Sequence, residues 1–406
     1  MEIIGSMWCG KTWMAEAHGM SKVNLSDVRI RRLVEADTRL AFEGKPPHII
    51  DEWQEVPALW DQTRLAIDEA AGKRGLYILT GSSTPRKNEI THSGSGRIAR
   101  LHLRPMSLYE SGYSDGQVSL SGLFNGEFDS AAVDTSLADI AKWICRGGWP
   151  GSLSLDEKIA AGVPSQYLEA LISFVAAKER IGESRLQRVL TSLARNIGQA
   201  VTYQTLLNDI SVDNAQELKL QKILSREAVE RLINLFHDRF IIEDLNGWDA
   251  PVRSKSRVRT KPIRSFVDPS LSAALLGVNK QWLLTDAQLF GRLFEELCLR
   301  DLRIYASDMD AALTNPIRYY RDSDGLEVDV IIELRDGRWA GIEIKLGENK
   351  VEQGVRNLLR LKRKIAANPM ARNPDPAFLA VLVGNTPFRR CTPEGVYVFP
   401  ITSLTV

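Results

Sequence analysis

The stretch GSMWCGKT, residues 5–12, decides how this chain begins to fold. It follows the short apolar run Met1–Ile4 and opens a helix-compatible segment, Thr12–His18. The spacing is G-x-x-x-x-G-K-[ST], in which Gly5 and Gly10 let successive backbone N–H groups, Cys9 among them, curl around phosphate oxygens beside the positive end of a helix. In that pattern Lys11 reaches the β- and γ-phosphates and the Thr12 hydroxyl is a magnesium ligand. The implied ligand is ATP with Mg2+.

Further along, PHIIDE (residues 47–52) is a short apolar strand ending in two acids. Beside a phosphate loop, Asp51 would hold magnesium and Glu52 would polarise the attacking water; alone, the pair would read as surface acids after a buried strand. LYILTGSS (residues 76–83) is another strand ending in hydroxyls. It suits either an ordinary turn or a placement of Thr80 or Ser82 near the γ-phosphate. Arg97 and Arg100 are candidates for arginine fingers acting in trans, which would require a homo-oligomer. Strands are expected at Met1–Ile4, His48–Ile50, Leu76–Thr80 and Ile98–Leu103, with helices at Thr12–His18 and Ala58–Ala71. This alternation predicts a parallel sheet covered by helices.

A chain of 406 residues is too long for one core. Its formal net charge of +1 gives no global attraction to nucleic acid or membrane, so any such attraction must be local. Cys9, Cys145, Cys298 and Cys391 lie far apart with no metal-ligand spacing, which fits free thiols and a cytoplasmic location. No signal peptide and no run of eighteen apolar residues is seen, so no membrane partner is expected. Residues 111–136 are rich in Gly, Ser and Asp and read as a boundary. Apolar periodicity at Leu137–Arg146 and Gln166–Lys178 predicts a helical lid or bridge. Over Ser184–Ile263, helices are followed by a ribbon, with Ser225 capping a helix whose stripe is Val229, Leu232, Ile233 and Phe236. That order suggests a winged helix.

Near the C-terminus, GLEVDVIIELRDGRWAGIEIKLG (residues 325–347) reads as two strands joined at Asp336. Apolar matching sets the register: Leu334 opposite Arg338, Ile332 opposite Ala340, Val330 opposite Ile342 and Val328 opposite Ile344. Asp329 then lies opposite Glu343, with Lys345 on the same face. Paired carboxylates call for a cation, and Mg2+ or Mn2+ held by Asp329 and Glu343 would suit phosphodiester hydrolysis. A solvated edge hairpin explains the same residues equally well. In the helix that includes Gly291–Arg300, Glu295 has Leu299 and Leu302 at helical spacing and is expected to point inward, and Glu296 to face water. Finally, RSKSRVRTK (residues 253–261) is basic at every odd position, from Arg253 to Lys261. On a strand this stripe suits a DNA or RNA backbone, or an edge protected by charge.

Taken together these residues resemble a family of bacterial and archaeal AAA-type ATPases whose members carry a C-terminal domain of unknown function. The resemblance rests on the phosphate loop and on IIDEWQEVP (49–57), LTGSS (79–83), GRIARL (96–101), PMSLYE (105–110), GGWP (147–150), FVDPSL (266–271) and DGLEVD (324–329). It implies a PD-(D/E)XK nuclease-like fold at the C-terminus, with motif residues at Glu295, Asp329, Glu343 and Lys345. That fold also hosts members that only bind. Relatives carry a further helix ahead of the first strand, where this chain has only Met1–Ile4, and a start assigned too far downstream is the expected reason.

The expected fold class is therefore α/β: a P-loop, AAA-like core (1–111), a helical lid (112–180), a winged-helix-like domain (181–264) and a restriction-endonuclease-like domain (265–406). The expected function is an ATPase coupled to a nucleic-acid-directed, nuclease-like domain. The alternatives are a nucleotide-switched scaffold and a protein-remodelling ATPase.

Overall fold

The computed structural model describes residues 1–70, 72–83, 94–212, 225–248, 261–310 and 315–406. The chain forms two compact units. The first comprises Met1–Pro105 with Trp149–Gly151 and Ile233–Ile242, and the second holds the remainder.

In the first unit the order is β1 (Glu2–Ile4), α1 (Lys11–His18), β2 (Ser21–Asn24), α2 (Val28–Ala36), β3 (His48–Asp51), α3 (Leu59–Glu69), β4 (Tyr77–Gly81) and β5 (Arg100–His102). The five strands are parallel, in the order β2-β3-β4-β1-β5. Alternation along the strands divides the core. Ile50 and Leu79 pack on one side with Trp53, Leu59 and Trp60, while Ile49 and Ile78 join Ile3 and Ala15 on the other. This is how a parallel sheet covered on both faces uses near-continuous apolar strands. β1 has only three residues, yet it pairs on both sides, with β4 and β5, and all three are buried.

The second unit begins with β6 (Val118–Ser119), α4 (Leu120–Phe124), β7 (Ala131–Ala132), α5 (Leu137–Arg146), α6 (Glu157–Ala160), α7 (Val163–Glu179), α8 (Glu183–Arg195) and α9 (Tyr203–Val212). After α10 (Arg226–Asp238), whose residues are divided between the two units, come β8 (Ile242–Leu245), β9 (Ile263–Phe266), α11 (Pro269–Leu275), α12 (Lys280–Thr285) and α13 (Ala287–Ser307). The chain ends with β10 (Ile317–Arg321), β11 (Glu327–Glu333), β12 (Trp339–Gly347), α14 (Val351–Ala366), β13 (Phe378–Asn385), β14 (Phe388–Cys391), β15 (Val396–Pro400) and β16 (Leu404–Thr405).

Seven strands form a mixed sheet, β10-β11-β12-β13-β15-β14-β7. The helices Leu137–Arg146 and Arg226–Asp238 form as expected, the latter capped by Ser225 Oγ with its Val229, Leu232, Ile233 and Phe236 buried. The run Glu157–Glu179 is long and apolar enough to cross a membrane on length and composition. In this fold Tyr167, Leu168, Leu171 and Val175 are buried, as in a core helix. Within residues 112–180, β7 extends the C-terminal sheet through β14, and β6 pairs with β16. Three helices lead to the strand pair β8–β9, in the anticipated order. Of the basic ribbon, Arg253 through Thr260 lie outside the described residues, and Lys261 is exposed.

Candidate nucleotide site and carboxylate cluster

β1, β3 and β4 all end on the same side of their sheet, and their loops supply one site at the carboxyl edge, where open α/β sheets bind ligands. Gly5 is required by close approach: a Cβ there would lie 2.0 Å from Leu103 O. Gly10 has φ +98, and Trp8, in the same loop, has φ +61. Lys11 is buried and donates to Ser6 O at 2.7 Å, so the ammonium lies folded against its own loop. The Cys9 side chain is also buried, 3.5 Å from Leu103 O, and burial pushes its thiol up. Only its backbone is suited to a phosphate.

Asp51, at the end of β3, ties α1 to the end of β4. Its Oδ1 accepts from Thr12 Oγ1 at 3.0 Å and from Thr80 Oγ1 at 2.5 Å. Because β4 lies between β1 and β3, Thr80 is the natural bridge between phosphate loop and acid strand. Asp51 Oδ2 is held by Lys22 Nζ at 2.9 Å, and Lys22 also meets Glu16 at 2.9 Å. Burial works against the Lys22 charge, but those two carboxylates outweigh it and hold its pKa above the ordinary value. One hydroxyl and one carboxylate 3.0 Å apart form a donor set that fits magnesium, which keeps waters and phosphate oxygens for its other positions.

Glu52 follows with φ +57. Its amide donates to Thr80 Oγ1 at 3.1 Å, and its Oε2 accepts from Ser82 Oγ at 2.8 Å and from Gln54 Nε2. Sequence reasoning missed Lys22 and Gln54. Gln54 lay in the IIDEWQEVP stretch but carried no chemistry by itself, and Lys22 stands in a polar strand with no visible partner.

The structure does not bring Arg97 or Arg100 to this edge. Arg100 pairs in register with Glu2, at the start of β1, and its Nε donates to the buried Glu2 carboxylate at 2.7 Å. Arg97 precedes it and is bound to Asp68 at 2.5 Å. Both guanidiniums are used within the unit, on the side away from the loop.

In the second unit the β11–β12 register is the expected one: Ile332 pairs with Ala340 and Val330 with Ile342, and Leu334 N donates to Arg338 O at 2.8 Å. The ladder then stops. The Asp329 carboxylate itself takes the Ile344 N–H at 2.7 Å, and Val328 joins the core on the opposite sheet face. Lys345 Nζ meets Asp329 Oδ2 at 3.1 Å and also bonds Glu343 Oε2, whose other oxygen accepts from Asn357 at 3.1 Å. The cation between the two acids is therefore the chain's own ammonium. Burial foremost, then the Asp329 charge, pushes Glu343 up to about 8. Burial and the same charge raise Glu295 well above the ordinary carboxylate range. Among the described residues, no group of three or more His, Cys, Asp or Glu is arranged to hold a metal. A divalent ion on Asp329 and Glu343 therefore requires Lys345 to swing aside.

Glu296 does not face water as expected. It is buried, accepts from Phe266 N at 3.1 Å and Ser272 Oγ at 2.6 Å, and is pushed up to about 7 by burial. Next to it, Arg300 joins Asp268 (2.8 Å) and Asp301 (2.7 Å). Asp268 accepts from Gly148 N at 3.0 Å and Asp301 from Leu108 N at 2.9 Å. Parts of PMSLYE, GGWP and FVDPSL thus meet in one buried ionic knot.

The parallel sheet, glycine-lined loop and Lys11–Thr12–Asp51 geometry are consistent with a P-loop domain of AAA type at the start of the chain. Comparison with protein families agrees. The AAA domain family matches residues 1–112, and two domains of unknown function, DUF8612 and DUF4143, match residues 137–281 and 290–404. A search of curated proteins finds no match. Among solved structures, the Orc1 protein of Aeropyrum pernix in complex with DNA is 13% identical over 68% of this chain and 86% of that one. Its TM-score of 0.22 is too low to relate the two folds.

Proposed function

We propose that the chain hydrolyses ATP on its first domain and uses the cycle to control a nuclease-like C-terminal domain. What carries the ATPase reading is Asp51, which gathers hydroxyls from the first turn of α1 and the end of β4 beside the phosphate loop. Lys11 leaves Ser6 O to bind the β- and γ-phosphates, and the loop amides of Cys9 and Gly10 hold the remaining oxygens. Thr12 and Asp51 would hold magnesium, which when bound neutralises charge on the transferring phosphoryl group. Glu52, once released by Gln54 and Ser82, accepts a proton from the attacking water. ATP turnover by the purified chain tests this: Lys11→Ala abolishes it, and an unchanged rate refutes the assignment.

In the C-terminal domain the proposed catalytic set is Glu295, Asp329, Glu343 and Lys345, acting on DNA or RNA drawn in by the Arg253–Lys261 ribbon. Support comes from the convergence of Lys345 on both acids and from the raised pKa of Glu295, to which the Asp329 charge contributes. The fold proposed for this region is PD-(D/E)XK-like, preceded by a winged helix. The test is magnesium- or manganese-dependent nicking that disappears in Asp329→Ala. A second reading, a nucleotide-switched scaffold, is favoured by the same lysine, because an ammonium already compensates the two acids. It is supported if millimolar divalent ion neither binds nor supports cleavage.

A further inference from the structure

A cavity of about 720 Å³ lies wholly within the second unit, among α5, α6, the start of α7, and α11–α12. This volume suits a small organic molecule and far exceeds that of a single ion. Its inner wall is apolar: Cys145, Ala160, Ala273 and Val278 are buried there, and burial pushes the Cys145 thiol up to about 11, so it stays neutral. The charged lining residues are four cations, Lys142, Arg146, Lys158 and Lys280, against a single acid, Glu157. Arg146 is 6% exposed and fixed, donating to Tyr113 Oη at 2.6 Å and lying 4.6 Å over the Tyr113 ring. The two lysines converge from different helices on one carboxylate: Glu157 is 3.2 Å from Lys142 Nζ and 3.4 Å from Lys280 Nζ.

We propose that this cavity binds a small organic anion bearing a carboxylate or phosphate, through Lys142 and Lys280, with Glu157 as the internal occupant that the ligand's anionic group displaces. The lysine pair supplies charge-assisted bonds to the anionic group, and the apolar wall takes the carbon skeleton. Glu157 is half-exposed on a helix of four residues, so little holds it in place once a second anion competes. The site is independent of the phosphate loop and of the Asp329–Glu343 cluster, and its chemistry is that of a sensor for a small acidic or phosphorylated metabolite.

The test is calorimetric titration of the full chain with citrate, glycerol 3-phosphate and inorganic phosphate, repeated on the Lys11→Ala chain. One of the two organic anions binds with one-to-one stoichiometry, tighter than inorganic phosphate, and equally in both chains. The choice between citrate and glycerol 3-phosphate assigns the carboxylate or phosphate class. Lys142→Met with Lys280→Met weakens that binding at least about tenfold, the scale of losing about 1.4 kcal/mol. Glu157→Gln strengthens it by a similar factor, a gain that damage to the fold cannot imitate. The proposal is overturned by an absence of organic-anion binding, by binding that survives the double lysine variant, by binding lost in Lys11→Ala, or by Glu157→Gln leaving affinity unchanged or lower.

Discussion

Glu296 offers the sharpest test of the second unit. It is 2% exposed, and its two bonds, from Phe266 N and Ser272 Oγ, favour the charged carboxylate but are outweighed by burial. Its burial-driven pKa of about 7, against 4.5 for an ordinary glutamate, means that the folded chain keeps a proton that the unfolded chain has released. The sign follows from linkage. Below about pH 4.5 both states hold the proton and the full stability is present; from there to about pH 7 the unfolded state gains relative to the native one. The difference corresponds to about 3 kcal/mol lost over that window. Glu296→Gln removes the titration and keeps an acceptor oxygen for Phe266 N or Ser272. The measurement is the urea midpoint of the transition that melts α13, followed by hydrogen exchange at pH 4, 5, 6, 7 and 8 in both chains. Other buried acids titrate in both, so the difference between the chains isolates Glu296. Wild type is the more stable at pH 4 and loses that advantage by pH 7. A difference that stays constant across the series refutes the reasoning.

Three further outcomes follow from the sites. Gly5→Ala drives a methyl into Leu103 O, a backbone atom, so ATP binding is lost and the first unit is destabilised by more than about 2 kcal/mol, read by urea titration. Lys22→Met frees Asp51 Oδ2 from its ammonium, and the magnesium concentration for half-maximal ATP turnover falls several-fold; an unchanged requirement denies the competition. Lys345→Met leaves Asp329 and Glu343 facing each other without a cation, so manganese binding measured by calorimetry strengthens, and equal affinity in both chains rules out a latent metal site there.

What the sequence made legible was what repeats or alternates. Glycine spacing located the phosphate loop, and apolar matching across Asp336 gave the register of β11 and β12 through Val330 and Ile342. β2 escaped notice because SKVN offers one apolar residue and half-buried positions, with its strand character supplied by pairing to β3. The inward turn of Glu296 was hidden for a related reason. Its helical neighbours at i+4 and i+7 are Arg300 and Arg303, which look like a solvent face until the partner acids of Arg300, Asp268 and Asp301, arrive from elsewhere. β6 and β7 escaped notice too, because two-residue strands carry no periodicity at all.

Those short strands have a consequence for synthesis. The first five strands find their partners within about a hundred residues of one another, so the ATPase core can assemble early on the ribosome. By contrast, Val118 pairs with Leu404, and Ser119 bonds Val406 O, 287 residues away. The edge at Val118–Ser119 must wait unpaired until residues 404–406 have been made. This late closure makes residues 118–132 the place where a chaperone, or an aggregation partner, would find the nascent chain.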